Sequence, residues 1–252
     1  MLVCVECGSP VSSLFKEICK SDVRLTTCGE CHRIADKYIE WDIQLLIIDL
    51  ILQRPQVYRH ILYNRFRAYN LTRQVFKFLI VSLAFDSFDR WYLNSGPTTW
   101  PSAEKVMESP AGVFTQWLLP HDNQWSILLM SLGESLVYMS SIYWLVRFYV
   151  HKLWGQGPYD TRTLVSAIVL SCFSKLGVLL LMLFEANLAH RFAIAIITLL
   201  SNIVAVRVFL GHQIPTPSPI PTLIVLAAQF SRLAFAAAIH HIIDDRIQYS
   251  FI

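Results

Sequence analysis

Four cysteines near the start of the chain have the spacing that most clearly indicates chemistry. They form two CxxC pairs, Cys4–Cys7 and Cys28–Cys31, with 20 residues between the pairs. Two pairs at this separation are typical of a zinc ribbon, in which one Zn²⁺ ion holds two tight turns together through four thiolates. Because four thiolates leave no position for water, the sequence predicts a structural rather than a catalytic Zn²⁺.

Disulfide bonds and a redox CxxC pair are the alternatives to zinc. A cytosolic location disfavours disulfides, and two pairs at ribbon spacing disfavour a redox motif. We expect Gly8 and Gly29 to supply the permissive backbone of the two turns, and we expect His32 not to be a ligand. The ribbon is predicted to have a slight apolar core made of Val3, Val5, Val11, Leu14, Phe15, Ile18 and Leu25.

The composition indicates an integral membrane protein. Of 252 residues, 54% are hydrophobic and 15% are charged, and the mean hydropathy is +0.45. Soluble domains carry about 25% charged residues, so this chain has too few to cover a water-facing surface. The net charge of +3 is too small to predict nucleic-acid binding, and no nucleic-acid partner is expected.

The predicted fold is mainly α, a polytopic membrane protein with a small N-terminal zinc ribbon. Residues 1–70 are expected to form a cytosolic module, with the ribbon in about 1–35, and residues 71–252 a transmembrane domain. A span needs about 20 residues, so the run Ile43–Leu52 should pack on the module or lie in the membrane surface. Asp86 and Asp89 weaken the first span. The five spans are predicted at about 75–93, 124–150, 164–184, 192–210 and 222–243.

Basic residues predict the orientation and a lipid-contacting surface. With five spans, Lys and Arg concentrate in the loops on one side, which predicts a cytosolic N-terminus and a lumenal C-terminus. The basic residues before the first span are interleaved with aromatic ones, a mixture that suits anionic headgroups. A topology signal without a ligand is the alternative. The predicted headgroup contacts are Arg54, Arg59, Arg65, Arg67, Arg73 and Lys77.

Ionisable residues inside the predicted spans form a second candidate site. Asp86, Glu134, Lys175 and Arg232 each lie near the middle of a span. A charge at that depth costs about 2.5–3.5 kcal/mol on insertion scales, so it should face protein or water. We therefore predict that Glu134 pairs with Lys175 or Arg232. Two roles remain open, structural contact between helices and a polar pathway for lipid.

One short motif raises the question of catalysis. The spacing from His240 to Asp245 matches the HxxxxD arrangement of glycerolipid acyltransferases, in which the carboxylate orients a histidine base. The motif stands at the end of the last span without the other sequence blocks of those enzymes. We expect the protein not to be an enzyme.

Three segments resemble the N-terminal homology domain of the Arv family. They are the first cysteine pair, the sequence ADKYIE at Ala35–Glu40 and the sequence YRHILYN at Tyr58–Asn64, and the resemblance covers about residues 4–64. It implies residence in the endoplasmic reticulum, a role in sterol and sphingolipid homeostasis, involvement in making glycosylphosphatidylinositol (GPI) anchors, and movement of membrane lipids. The expected function is non-enzymatic lipid transport. The alternative is a zinc-ribbon scaffold that recruits or regulates lipid-synthesising enzymes.

Overall fold

A small β-rich ribbon precedes long helices. The computed structural model describes residues 2–19, 22–40, 42–65, 71–95, 124–154, 160–177, 188–213 and 219–249. Strand β1 (Leu2–Val3) pairs antiparallel with β2 (Pro10–Val11). Strand β3 (Phe15–Cys19) pairs antiparallel with β4 (Asp22–Leu25). The two hairpins form separate two-stranded sheets.

The remaining described elements are helical. The ribbon ends in a 3₁₀ turn, Lys37–Ile39. Two short helices follow it, with a π-helix directly after the second. The helices are α1 (Ile43–Ile51), α2 (Pro55–Arg59), the π-helix (His60–Arg65), α3 (Leu71–Ser95), α4 (Gln124–Trp154), α5 (Thr161–Ser171) with a 3₁₀ extension (Cys172–Gly177), α6 (Leu188–Gln213) and α7 (Pro219–Tyr249).

Three of the described helices, α4, α6 and α7, each contain a stretch that is long and apolar enough to cross a membrane. The qualifying stretches are Ile127–Lys152, Phe192–Gly211 and Pro219–Ile239. Large apolar side chains on these helices are exposed, for example Phe148 at 68% and Phe230 at 74%. Such exposure suits contact with lipid rather than with water. The mainly helical membrane fold predicted from the sequence is therefore confirmed in outline.

The predicted first and third spans are less regular than the other three. Helix α3 covers the predicted first span, but it is not among the helices apolar enough to qualify. In the predicted third span, α5 ends at Ser171 and a 3₁₀ segment continues to Gly177, while residues 178–187 lie outside the described part of the chain. The count of five spans stays a prediction.

A tight turn connects α1 to α2. The Arg54 N–H donates to the Asp49 carbonyl and the Gln53 N–H to the Leu50 carbonyl, both at 3.0 Å. This pair of bonds closes a helix C-terminus and normally needs glycine at the left-handed position, which Gln53 occupies here with φ 57°. Pro55 then begins α2, where its missing N–H and fixed φ are tolerated.

The ribbon and the membrane helices share one hydrophobic cluster. Val3 and Val5 of the ribbon are fully buried, as predicted, and they lie in the same cluster as Tyr58, Ala167 of α5 and Val208 of α6. The predicted ribbon core is wrong at Phe15, which is 45% exposed. Val11, Leu14 and Leu25 are half-buried, and the structure does not describe the side chain of Ile18. The described core extends from Val3 and Val5 toward the helices.

Candidate metal centre and its attachment to the membrane helices

The four predicted ligands meet at one point. The sulfur atoms of Cys4, Cys7, Cys28 and Cys31 all lie within 4.8 Å of one another. The distances from Cys4 Sγ to Cys31 Sγ and from Cys7 Sγ to Cys28 Sγ are both 3.7 Å. A tetrahedral Zn²⁺ with bonds of about 2.3 Å requires sulfur–sulfur edges of about 3.8 Å. All four are free thiols, so this donor set fits a closed, structural Zn²⁺ site.

The two cysteine turns have the same backbone geometry. In the first, the Gly8 N–H donates to the Cys4 carbonyl at 2.9 Å. In the second, the His32 N–H donates to the Cys28 carbonyl at 3.1 Å. Both residues have positive φ, 82° for Gly8 and 58° for His32. The expectation that Gly29 supplies the second permissive position is therefore wrong, because His32 occupies the position equivalent to Gly8. The His32 ring is not among the clustered ligand atoms.

The thiols of the first pair differ in acidity. Burial raises the pKa of the Cys4 thiol to about 12. Burial acts in the same direction on Cys7, but hydrogen bonds with Ser9, Cys4 and Cys28 together outweigh it and lower the pKa of Cys7 to about 6. A cysteine binds Zn²⁺ as the thiolate, so metal binding must displace the Cys4 proton. Low pH should therefore favour release of the metal.

A buried carboxylate attaches the ribbon to the π-helix. Asp36 is fully buried, and its Oδ1 accepts the Tyr38 N–H at 3.0 Å. Its Oδ2 accepts hydrogen bonds from His60 Nδ1 and Asn64 Nδ2, both at 2.7 Å. A π-helix closes its hydrogen bonds over five residues, so residues four apart, such as His60 and Asn64, can reach the same oxygen. Asn64 also bonds both backbone groups of Val3 at 3.0 Å.

A second polar chain connects the ribbon to α1. The Tyr38 hydroxyl donates to Asp49 Oδ2 at 2.8 Å, and the Asp49 carboxylate lies 3.3 Å from the Arg54 guanidinium. Burial, and then the hydrogen bond to Asp49, raises the pKa of Tyr38. The ribbon is thus joined to the following helices by charged, buried hydrogen bonds. Bonds of this kind are among the stronger ones in proteins.

Arg59 fixes the first cysteine turn. Its Nη1 donates to the Val5 carbonyl at 2.7 Å and to the Glu6 carbonyl at 2.8 Å. The guanidinium also lies near Gly8, where an added Cβ would come within 3.6 Å of Nε. The sequence placed Arg59 among the headgroup contacts, and the structure places its donors on the ribbon backbone.

The other predicted headgroup contacts do not form one described surface. Arg54 pairs with Asp49, as described above. Arg65 is exposed at the end of the π-helix, and Lys77 is exposed on α3. Arg73 lies in α3 in a stretch whose side chains the structure does not describe, and Arg67 lies outside the described residues. Headgroup binding by this set stays a prediction.

The four ionisable residues predicted to lie near the middle of spans form two ion pairs. Arg232 Nε of α7 lies 3.5 Å from Glu134 Oε2 of α4, and Lys175 of the 3₁₀ segment pairs with Asp86 of α3. The prediction that Glu134 pairs with Lys175 or Arg232 is confirmed for Arg232. The helices approach closely beside this pair, since a Cβ on Gly133 would lie 3.1 Å from the ring of Phe235.

A third polar contact joins the hairpin of α1 and α2 to the middle of α6. The Tyr58 hydroxyl is 2.6 Å from Ser201 Oγ, and Ser201 Oγ donates to the Ser171 carbonyl at 3.0 Å. The neighbouring Asn202 accepts from Ser171 Oγ. Both Ser201 and Asn202 are buried. Ordered hydrogen bonds therefore extend from the cysteine turns through the hairpin into the helix bundle.

We expect Glu134→Ala and Arg232→Ala each to destabilise the protein more than the double substitution. Each single change breaks the ion pair and keeps the other charge at membrane depth, at a cost of about 2.5–3.5 kcal/mol. The midpoint of thermal unfolding in detergent should fall by about 5–10 °C for each single variant. The double variant should recover part of that loss. Ser140→Ala on the exposed face of α4 is the matched control, and additive losses in the double variant would contradict a direct pair.

Comparison with known proteins identifies relatives along most of the chain. A family model described as the Arv1-like family matches residues 3–206. The chain is 34% identical over 216 residues to "Protein arv1 homolog" of Dictyostelium discoideum, covering 83% of this chain and 85% of the relative. It is 30% identical over 218 residues to "Protein arv1" of Schizosaccharomyces pombe, covering 83% and 76%. With "Protein ARV1" of Mus musculus it shares 25% identity, covering 82% and 73%. No solved structure gives a significant match.

Proposed function

The chain belongs to the Arv1-like family, and on that basis we propose that it is an endoplasmic-reticulum membrane protein that moves or presents lipids without converting them. A role in lipid homeostasis is consistent with the family. Sterols, sphingolipids and GPI-anchor precursors are the proposed cargo classes. The N-terminus is proposed to be cytosolic and the C-terminus lumenal, following the distribution of Lys and Arg.

The observation that carries this proposal is the hydrogen-bonded connection between the ribbon and the membrane helices. Arg59 holds the first cysteine turn, His60 holds Asp36, and Tyr58, in the same short segment, contacts Ser201 in α6. A ribbon that only bound a cytosolic partner could hang from a flexible linker. A ribbon fixed in this way instead sets the position of helices whose apolar surfaces are exposed, and this supports a function performed in the membrane.

We further propose that no covalent chemistry accompanies lipid handling. A Zn²⁺ held by four cysteines has no open position for a substrate or a water nucleophile. The ionisable residues described inside the helices contact one another across helix interfaces. His240 lies in α7 where the structure does not describe side chains, so its role rests on the sequence. His240→Ala is expected to leave lipid movement unchanged.

Reconstitution of the purified full chain tests the proposal. In phosphatidylcholine vesicles, labelled sterol, sphingolipid and GPI precursor are each followed for movement between leaflets and between vesicles. The wild-type chain should accelerate movement of at least one of them over protein-free vesicles. A chain folded and zinc-loaded by independent measurement that moves none of the three would contradict transport.

A scaffold that recruits lipid-synthesising enzymes is the second candidate, and exposed apolar residues on the ribbon favour it. Phe15 is 45% exposed and Ile34 is 47% exposed, and Arg33 beside them has a side chain 72% exposed. For a scaffold, a Phe15→Ala, Ile34→Ala double variant should lose copurifying enzymes while its zinc content and vesicle behaviour stay unchanged. For a transporter, the same variant should keep its lipid movement.

A further inference from the structure

We propose that residues 43–65 form a re-entrant membrane hairpin. In this arrangement α1 enters the bilayer from the side that holds the ribbon, the turn at Leu52–Arg54 lies inside the membrane, and α2 with the π-helix returns to the same side. The hairpin's outer surface contacts the acyl chains of the bilayer. The packing on the N-terminal module that the sequence predicted for this segment is confirmed, since Leu46 and Leu50 share a buried cluster with Val3 and Val5. The hairpin lies deeper than the surface helix that was the alternative, and it does not depend on which lipid the protein handles.

The turn at Leu52–Arg54 lies far along α6 from the end of that helix at which the ribbon binds. Gln53 Nε2 donates to the Ile197 carbonyl at 2.9 Å, and Tyr58 contacts Ser201. The returning arm therefore runs beside α6 in the same direction, toward Gly211. Ile197 precedes Arg207 by ten residues and Gly211 by 14, which at 1.5 Å per residue is about 15 Å and about 21 Å. The turn thus reaches half or more of a hydrocarbon core of about 30 Å.

Helix α5 provides a second measure of depth. Ser201, the partner of Tyr58, also bonds the Ser171 carbonyl at the end of α5. Helix α5 begins at Thr161, ten residues earlier, so this level lies about 15 Å from its start. Gln53 is a further five residues along the hairpin, beyond that level. The distances along α5 and along α6 therefore both place the turn well inside the bundle rather than at its end.

The direction of the hairpin follows from where the ribbon binds. Asn64, at the far end of the returning arm, bonds Val3, so the ribbon lies toward the Gly211 end of α6. Helix α1 starts at Ile43, soon after the 3₁₀ turn that ends the ribbon, and it finishes at the deep turn. Both arms therefore connect the ribbon side of the membrane to its interior.

The exposed surface of α1 has the chemistry of a lipid contact. Only Leu46, Asp49 and Leu50 face inward and are buried. The exposed side carries six large aliphatic residues, and four of them are at least 50% exposed. Gln44 near the start of α1 is also exposed, but so many large exposed aliphatic residues on one short helix are rare on a surface that faces water. Exposed Ile196 on α6 lies at the level of the turn. The exposed residues are Ile43, Leu45, Ile47, Ile48, Ile51 and Leu52.

The turn itself meets the requirement for non-helical backbone in a membrane. Unpaired backbone groups are not tolerated in hydrocarbon. Here the N–H groups of Leu52, Gln53 and Arg54 all donate to carbonyls of α1, and Pro55 has no N–H to satisfy. The Arg54 side chain is half exposed, and its guanidinium lies 3.3 Å from the buried Asp49 carboxylate, which offsets the cost of a charge at this depth. In the hairpin, Arg54 lies in the membrane interior rather than at the headgroup level predicted from the sequence.

Depth-resolved photolabelling of the full chain in phosphatidylcholine vesicles tests the hairpin. Two phosphatidylcholine probes carry a diazirine, one near the headgroup and one near the acyl-chain end, and mass spectrometry locates the labelled residues. The deep probe should label Ile51 and Leu52, and the shallow probe should label Ile43. Ile196 is the internal control for depth, and Phe15 on the ribbon should be labelled by neither probe.

Two labelling outcomes would overturn the inference. Labelling of α1 by the shallow probe alone would make it a surface helix, and no labelling of α1 beside labelled Ile196 would place it in water. A matched pair of variants adds a readout of stability: Ile48→Lys should lower the ratio of folded to unfolded protein by about tenfold or more. Phe15→Lys should leave it unchanged, and equal effects would count against the hairpin. These measurements require no lipid movement, so they can fail independently of the transport assay.

Discussion

Cys28→Ser is expected to abolish stoichiometric Zn²⁺ binding and to unfold the ribbon. The apparent binding free energy of a structural Zn²⁺ site is about 10–16 kcal/mol, and in small modules it is folding free energy. The ribbon's own hairpins are short and Phe15 is exposed, and its buried Val3 and Val5 pack with the helices rather than around the cysteine turns. Metal analysis of the purified chain should find about one Zn²⁺ in the wild type and none in the variant, with lipid movement lost in parallel.

Cys172→Ser is the matched control for that experiment. Cys172 is a free thiol outside the ribbon, and its Sγ lies 3.4 Å from the Ile168 carbonyl, a contact that a serine hydroxyl can also make. This variant should keep its Zn²⁺. The zinc assignment would be refuted by a wild-type chain without metal, by a disulfide between Cys4 and Cys7, or by a Cys28→Ser chain that binds Zn²⁺ normally.

Asp36→Ala is expected to detach the ribbon from the hairpin while leaving the metal site filled. The substitution removes the acceptor described for the Tyr38 N–H and for His60 Nδ1, and one of the two acceptors described for Asn64 Nδ2. Each unsatisfied donor costs about 1–3 kcal/mol, and the sum approaches the entire stability of an ordinary domain. Amide hydrogen exchange should increase at residues 55–65 and at β1, with zinc content unchanged.

Asp42→Ala provides the comparison for Asp36→Ala. Asp42 lies at the start of α1, is exposed and makes no capping hydrogen bond through its side chain. Its replacement should leave hydrogen exchange as in the wild type. If the two variants exchange alike, the Asp36 network does not hold the ribbon in place. Asp36→Asn should give an intermediate result, because its amide keeps one acceptor oxygen but adds a donor facing His60 and Asn64.

Part of the site could be predicted from local sequence patterns and from the depth of charged residues in the predicted spans. The four cysteines could be predicted because each CxxC pair forms its own turn and only the separation of the pairs is long. The contact between Glu134 and Arg232 could be predicted because charges at similar depths in hydrocarbon must find each other. Neither inference required knowledge of the tertiary structure.

The buried network could not be predicted in the same way. Asp36 and its partners are 24 and 28 residues apart, and the π-helix that aligns His60 with Asn64 has no clear sequence pattern. The sequence feature that could have indicated a buried network was the presence of these polar residues inside apolar segments. Charge counting likewise could not separate Arg59, which binds backbone carbonyls, from an arginine at the membrane surface. Counting residues against the bilayer thickness considers only crossing segments, so it could not suggest a hairpin.

The contact between Tyr58 and Ser201 also has a consequence for synthesis of the protein. The two residues are 143 positions apart, and ribosomes add about 5–20 residues per second. The segment around Tyr58 therefore emerges about 7–30 s before the helix that it packs against. During that interval the hairpin can pack on the ribbon but not on α6. The nascent chain is then most open to chaperones and to degradation, and a chain terminated before α6 never leaves this stage.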